Sequence, residues 1–371
     1  PRTPCPPRRR DSLAREIHSR ALIADQKALE ELVGELHSQQ RIAIDTEADS
    51  LHCYFEKVCL IQISSGPGHW LVDPLANLEL QPLLDVVCSR RLVFHGADYD
   101  LRLLRRIGNF EPVDLFDTMI AARLVGKSGL GLAALVKEFF GIELSKASQK
   151  ANWAIRPLPP EMVEYAHNDT RYLLEISDRL ESDLKNLGRL DWFTESRDRM
   201  IASAREVKER DDNTVWRISG SSGLSPRAQA ILRVLWFWRD SEARAWDRPP
   251  FHVIGNDDML RAAQQIADGG KFSSPRMNGR RRKSFEVVIA LALQIPESEW
   301  PKIEKVRRKR ISKDQADRSE QLKKIRDRVA RDLALDPSII APRAALEATA
   351  ADISSNVLMS WQRRLLELPA A

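Results

Sequence analysis

The amino-acid sequence predicts an α/β domain, a mixed β-sheet covered by helices, followed by all-α modules. Two observations carry this. Up to about residue 195, short apolar runs with β character interleave with segments whose apolar residues recur at helical spacing. Beyond about residue 200 the β-like alternation disappears, the stretch S-G-S-S-G at 219–223 punctuates the change, and helical patterns dominate.

The elements follow in order. Residues 26–38 read as an amphipathic helix through Leu29, Leu32, Val33 and Leu36. Strands are expected at 41–45, 58–64 and 69–72, with a fourth at 91–94. Helical patterns occupy 98–107, 117–125, 130–140 and 160–185. Asp117 precedes an apolar helical run and reads as its N-cap. Pro159 and Pro160 suit the opening turn of the 160–185 helix, where a missing N–H costs no intrahelical bond. In the helical half, the spacing of Trp236, Phe237, Trp238, Trp246 and Phe251 marks most of them as core, with one or two exposed and able to stack unpaired bases.

At 371 residues the chain is long enough for two or three domains, each with its own core. The expected division is a basic tail at 1–20, an α/β domain at 21–195, a linker at 196–225, a helical module at 226–300 and a second at 312–371. The tail, P-R-T-P-C-P-P-R-R-R onward, lacks an apolar signal-peptide core and reads as disordered, with an organellar presequence as the alternative. No apolar run approaches the roughly 18 residues needed to span a bilayer, so a soluble protein is expected. Cys5, Cys53, Cys59 and Cys88 form no C-x-x-C pair and no cluster of zinc spacing. A reducing, cytoplasmic setting and a monomer fit best.

Charge is uneven. Between Lys271 and Ala330 there are 18 Lys plus Arg against 8 Asp plus Glu, a net of +10, while the whole chain carries +5. The block contains R-R-R-K at 280–283 (Arg280, Arg281, Arg282, Lys283) and R-R-K-R at 307–310, a positive footprint of the kind that draws in phosphate backbones. Each run taken alone could equally be a solvated helix face. Arg239 and Arg244, among the aromatics, are further expected phosphate contacts.

Acidic residues in three separated segments carry the chemistry: Asp45 and Glu47 in R-I-A-I-D-T-E, Asp100 in H-G-A-D-Y-D-L, and Asp169 in E-Y-A-H-N-D. On a strand, residues i and i+2 share a face, so Asp45 and Glu47 project together; on a helix, i and i+4 do, so Tyr165 joins Asp169. Carboxylates gathered in one cleft repel and raise each other's pKa unless divalent cations hold them ionised. Metal-assisted hydrolysis is the natural reading. Singly, Asp45 could cap a turn, Asp100 could sit in a first helical turn, and Tyr165 could be core. His95 and His167 flank two of the motifs without metal-ligand spacing, so structural roles are expected for them.

These segments, in this order, resemble the three exonuclease motifs of the DEDD superfamily, and the chain is similar to the ribonuclease D family from near Ala21 almost to its end. The first motif is D-T-E at 45–47, continued by A-D-S-L-H-C-Y-F-E-K-V-C-L-I-Q-I-S; the second is F-H-G-A-D-Y-D-L at 94–101; the third is Y-A-H-N-D at 165–169, preceded by W-A-I-R-P-L at 153–158. In the second motif the family's carboxylate falls on Asp100 rather than Asp98, because Asp100 directly precedes Leu101. Tyr165, with Glu164 where the other branch has a histidine, places the chain in the tyrosine branch.

The resemblance implies a ribonuclease H-like sheet and a metal-dependent 3′→5′ exoribonuclease using two cations, Mg²⁺ or Mn²⁺. It further implies trimming of the single-stranded 3′ ends of structured RNAs such as tRNA precursors, with release of nucleoside 5′-monophosphates. Asp45 would bridge both ions, Glu47 and Asp169 would each hold one, Asp100 would act directly or through water, and Tyr165 would orient the attacking water. Residues 227–254 resemble the start of a helicase-and-ribonuclease-D C-terminal (HRDC) domain, and a diverged second copy begins near 312, where Gln362 replaces the arginine of the Trp238-Arg239 pair. The alternatives are an exonuclease acting on DNA and a non-catalytic RNA-binding protein on a degenerate exonuclease fold.

Overall fold

The computed structural model describes residues 22–206, 209–273, 277, 279–302 and 312–369. The basic tail and R-R-K-R at 307–310 lie outside them. One unit takes in the described residues up to Ala48, Val58–Glu206 and those from 312 on; the other takes in Asp49–Lys57 and those described between 209 and 302.

In the first unit, helix α1 (Gln26–Leu36), N-capped by Asp25, precedes three antiparallel strands, β1 (Arg41–Ala48), β2 (Val58–Ser65) and β3 (Gly68–Val72). Helix α2 (Gln81–Cys88), β4 (Arg91–Phe94), α3 (Asp98–Ile107) and β5 (Asp114–Asp117) follow. Strands β1, β4 and β5 run parallel, giving a mixed sheet of order β3-β2-β1-β4-β5. Strand β5 was not anticipated. Its four residues, D-L-F-D, carry an Asp at each end and no alternation long enough to read.

Alternation sorts the sheet's two faces. Ile42, Ile44, Ile61, Ile63, Leu92 and Phe94 join α1, α2 and α3 in one core, while Ala43, Val93 and Phe116 pack on the opposite side. That opposite side is covered by α4 (Thr118–Val125), α5 (Leu132–Phe140), α6 (Pro160–Arg171) and α7 (Leu173–Asn186), while α8 (Leu190–Arg205) reaches both sides, with Phe193 in this core and Ala204 against α3 in the other. Asp117 caps α4 as expected, accepting from the Met119 and Ile120 N–H groups, and also takes those of Gly96 and Ala97. The single helix read at 160–185 is broken at Tyr172. The break lets α6 lie over β1, β2 and β3 while α7 turns toward β1, β4 and α4.

The second unit is built on α9 (Pro226–Trp246), N-capped by Ser225, which packs against α10 (Pro250–Val253), α11 (Asn256–Ala267) and α12 (Gly279–Leu293). Ile231, Leu232, Leu235, Trp236 and Trp238 form its core, while Trp246 and Phe251 are about half exposed. The β1–β2 connection, Asp49–Lys57, belongs here and not to the sheet unit. Tyr54 donates its hydroxyl to Asp240 at 2.9 Å, and Asp247 accepts the N–H groups of Tyr54 and Phe55 at 3.0 and 3.1 Å.

The described residues from 312 on group with the sheet unit, while keeping a core of their own around Leu322, Ile340, Leu346 and Leu366. Helices α13 (Lys313–Asp332), α14 (Pro337–Ile340), α15 (Arg343–Ala351) and α16 (Ser360–Leu365) are part of the sheet unit. Trp361 stacks on Trp192 with ring centroids 4.6 Å apart, Glu195 accepts the Ser360 and Trp361 N–H groups, and Arg189 reaches the Leu124 and Leu333 carbonyls. Fully burying one large aromatic of this kind is worth roughly 3 kcal/mol. The +10 block is therefore divided between two units. No helix among the described residues is long and apolar enough to cross a membrane.

Candidate active site

Strand β1 delivers Asp45 and Glu47 to the face covered by α6, one pleat apart, opposite Gln62 and Leu60 of β2. Tyr165 and Asp169 lie one turn apart on α6. Carboxylate oxygens of Asp45, Glu47 and Asp169 come within 4.8 Å of one another. Thr46, between the two β1 acids, points to the other face and donates its hydroxyl to Asp100 at 2.5 Å. Asp100 is buried in the first turn of α3, whereas Asp98 faces outward and pairs with Arg102 at 2.8 Å.

Helix α6 is set in place by the segment before it. Arg156 makes a bidentate pair with Asp73, 2.6 Å at each contact, and donates to the Trp153, Ile155 and Cys59 carbonyls. A planar guanidinium fork with several donors suits this clamp. Trp153, fully buried, backs the Tyr165 ring at 5.9 Å. At the far end of α6, Thr170 bonds Ser64 of β2 at 2.6 Å. Neither the Arg156–Asp73 clamp nor the Thr46–Asp100 bond was anticipated from the sequence. The Arg in W-A-I-R-P-L was the available signal for the first.

The electrostatics follow from crowding. Burial, then Asp100, Asp169 and Glu47, drive the Asp45 carboxyl well above the usual range. Glu47 is pushed up to about 9 by burial and the neighbouring carboxylates. Burial raises Asp100 to about 7 against the pull of the Thr46 hydrogen bond, and burial with Asp100 raises Asp169 to about 7. Among the described residues no lysine or arginine ion-pairs with Asp45, Glu47 or Asp169. Such a set stays neutral at modest pH unless cations balance it, and its all-oxygen donors suit Mg²⁺ or Mn²⁺. The residues present thus fit a divalent-metal centre. The Tyr165 hydroxyl is raised by burial and by Asp169, Glu47 and Asp45, so it remains a neutral donor.

The histidines stand outside this group. His95 shares a 2.9 Å hydrogen bond with Thr118, and buried His167 is pushed down to about 4 by desolvation, His69 and Arg171, which keeps it neutral. In the helical unit, Arg239 is buried, with its guanidinium donating to Asn256 at 2.7 Å and to the Ile254 carbonyl, so it braces α9 against α11. Arg281 is likewise buried, 3.7 Å from Glu242 and stacked 4.4 Å from the Trp246 ring centroid. Arg244, Arg280, Arg282 and Lys283 are exposed, with Arg244 over the Tyr54 ring.

Comparison with known proteins agrees with this geometry. Residues 21–185 match the model of a 3′-5′ exonuclease family. The ribonuclease D of Pseudomonas paraeruginosa is 29% identical over 75% of this chain and 76% of its own length. The catalytic core of RRP6 from Trypanosoma brucei is 30% identical, with a TM-score of 0.63 over 74% of this chain and 80% of that one. The fold of Escherichia coli RNase D, an exoribonuclease involved in structured RNA processing, superposes with a TM-score of 0.69 over 94% of this chain and 99% of that one, at 22% identity. The chain belongs to the ribonuclease D family of 3′-5′ exonucleases.

Proposed function

We propose that this protein is a divalent-metal-dependent 3′→5′ exoribonuclease that trims the single-stranded 3′ ends of structured RNAs such as tRNA precursors, releasing nucleoside 5′-monophosphates. The observation that carries the reading is the convergence of Asp45 and Glu47 from a strand with Asp169 from a helix, within 4.8 Å and, among the described residues, without an ion-paired lysine or arginine. Asp45 would hold both ions, Glu47 and Asp169 one each, and Asp100, buried and bonded by Thr46, would act directly or through water. Two bound divalent ions supply water activation, neutralisation of phosphoryl charge and stabilisation of the leaving oxygen.

The chain's own groups do the rest. The Tyr165 hydroxyl, kept protonated and backed by Trp153, orients the attacking water by donating to it. The helical unit, which we read as HRDC-like, supplies exposed Arg244, Arg280, Arg282 and Lys283 for phosphate contacts and half-exposed Trp246 and Phe251 for stacking unpaired bases. A cytoplasmic location is supported by Cys53, Cys59 and Cys88, none of them in a disulfide. Incubation with 3′-labelled and 5′-labelled RNA and DNA, in Mg²⁺, Mn²⁺ or chelator, tests the whole reading. The expected result is chelator-sensitive release of mononucleotides from RNA 3′ ends. Preference for DNA would change the substrate class, and absence of release with retained RNA binding would leave a binding protein.

A further inference from the structure

Gln62 lies in the middle of β2 and is fully buried, and among the described residues neither its amide oxygen nor its amide nitrogen has a hydrogen-bond partner. Buried amides are nearly always bonded, so an orphan at this depth calls for an acceptor and a donor. Its surroundings are narrow. Gln62 is the antiparallel partner of Asp45 on one side and of Leu71 on the other. Directly opposed residues on paired strands share a face, with Cβ atoms roughly 4.5–5.5 Å apart, within the reach of a glutamine side chain. Along β2 the same face presents Leu60, which is apolar, and Ser64, which already bonds Thr170 and His69. Helix α6 packs on this face with buried Met162, Ala166, His167 and Thr170 and carries Asp169, and Trp153 shares the core of Leu60 and Leu71. Of these groups, Asp45 is the acceptor that strand register sets directly opposite the amide.

We infer that Gln62 is a positioning residue for the metal centre: its amide N–H donates to the Asp45 carboxylate and fixes which oxygens face the cations. A hydrogen bond to a carboxylate that would hold cations restricts its rotation. The amide suits this position better than a cation would, because it orients the acid without competing with the metal for its charge.

The inference rests on Asp45 being a metal ligand, and the test separates the two claims. Mn²⁺ alone is titrated calorimetrically into the full chain, as wild type, Gln62→Met and Asp45→Asn, and each is melted in chelator. Gln62→Met keeps length and volume while removing the amide. The expected result is Mn²⁺ affinity about 10- to 100-fold weaker for Gln62→Met, with a chelator melting temperature at or above wild type, since an unpaired buried amide has been removed. Unchanged Mn²⁺ affinity in Gln62→Met, beside its loss in Asp45→Asn, would overturn the Gln62 assignment alone. So would a Gln62→Met protein that fails to fold or melts well below wild type in chelator, because the amide would then serve the fold. Wild-type Mn²⁺ affinity in Asp45→Asn would remove the metal reading itself and the inference with it.

Discussion

The Thr46 hydroxyl donates to the Asp100 carboxylate at 2.5 Å, so the residue between the two β1 acids anchors the acid that comes from α3. One strand thus addresses both sides of the sheet, holding Asp45 and Glu47 on the α6 face while Thr46 reaches α3. Asp100→Asn is expected to lower turnover far more than Asp98→Asn, whose side chain only pairs with Arg102 on the surface. Thr46→Val should fall between them. Turnover of the three variants on one short RNA decides it, and greater damage from Asp98→Asn would shift the site to that residue.

Tyr165→Phe should reduce turnover by roughly 10²-fold while leaving RNA affinity nearly unchanged, because a hydroxyl that positions water acts mainly in the transition state. Single-turnover rates and equilibrium binding separate the two effects. Lost affinity with normal turnover per bound complex would make Tyr165 a substrate-binding residue.

The raised carboxyls predict how stability follows pH. Glu47 at about 9, and Asp100 and Asp169 at about 7, hold protons in the folded chain that the unfolded chain, with values near 4, has released. Where the folded state binds more protons, stability falls as pH rises. In chelator their contribution should be complete below pH ~4, decline to about 7 for the two aspartates, and decline further to about 9 for Glu47. Added Mn²⁺ should therefore stabilise the protein more at pH 8 than at pH 5, with proton release on binding. Thermal melts across this range test it, and a metal effect that shrinks with rising pH would contradict the assignment.

The basic run at 280–283 should divide by burial. Neutralising exposed Arg280, Arg282 and Lys283 should flatten the salt dependence of RNA binding, by up to about 0.7 in log–log slope for each lost phosphate contact. Arg281→Gln should instead cost about 1–3 kcal/mol of stability, since it removes the partner of Glu242 and the cation over Trp246. Denaturant melts and salt-dependent binding distinguish the outcomes. An unchanged slope in the triple variant would leave the run a solvated surface.

The site was legible where its geometry is local. Asp45 with Glu47, and Tyr165 with Asp169, are set by the periods of a strand and a helix, which any reading of the sequence can apply. What was not legible depends on tertiary pairing: Thr46 with Asp100, Arg156 with Asp73, and Trp361 with Trp192 join residues far apart in sequence. The same holds for the Asp49–Lys57 connection, whose allegiance to the helical unit rests on Asp240 and Asp247. Arg281 was readable in retrospect. Phe285, four residues on, and Ala292, two turns further, are buried with it and mark one inward stripe of α12.

If Asp45, Glu47 and Asp169 hold one metal centre, loss of charge at either end of the set stops hydrolysis without disturbing the fold. Asp45→Asn and, separately, Asp169→Asn remove charge from a ligand with little change of shape, so the measurement is the rate of mononucleotide release from a 3′-single-stranded RNA by each variant in saturating Mg²⁺ or Mn²⁺, beside its circular dichroism. The expected result is wild-type spectra with rates lower by roughly 10³-fold or more, the loss of several kcal/mol of transition-state stabilisation. Near-wild-type release by either variant would contradict it.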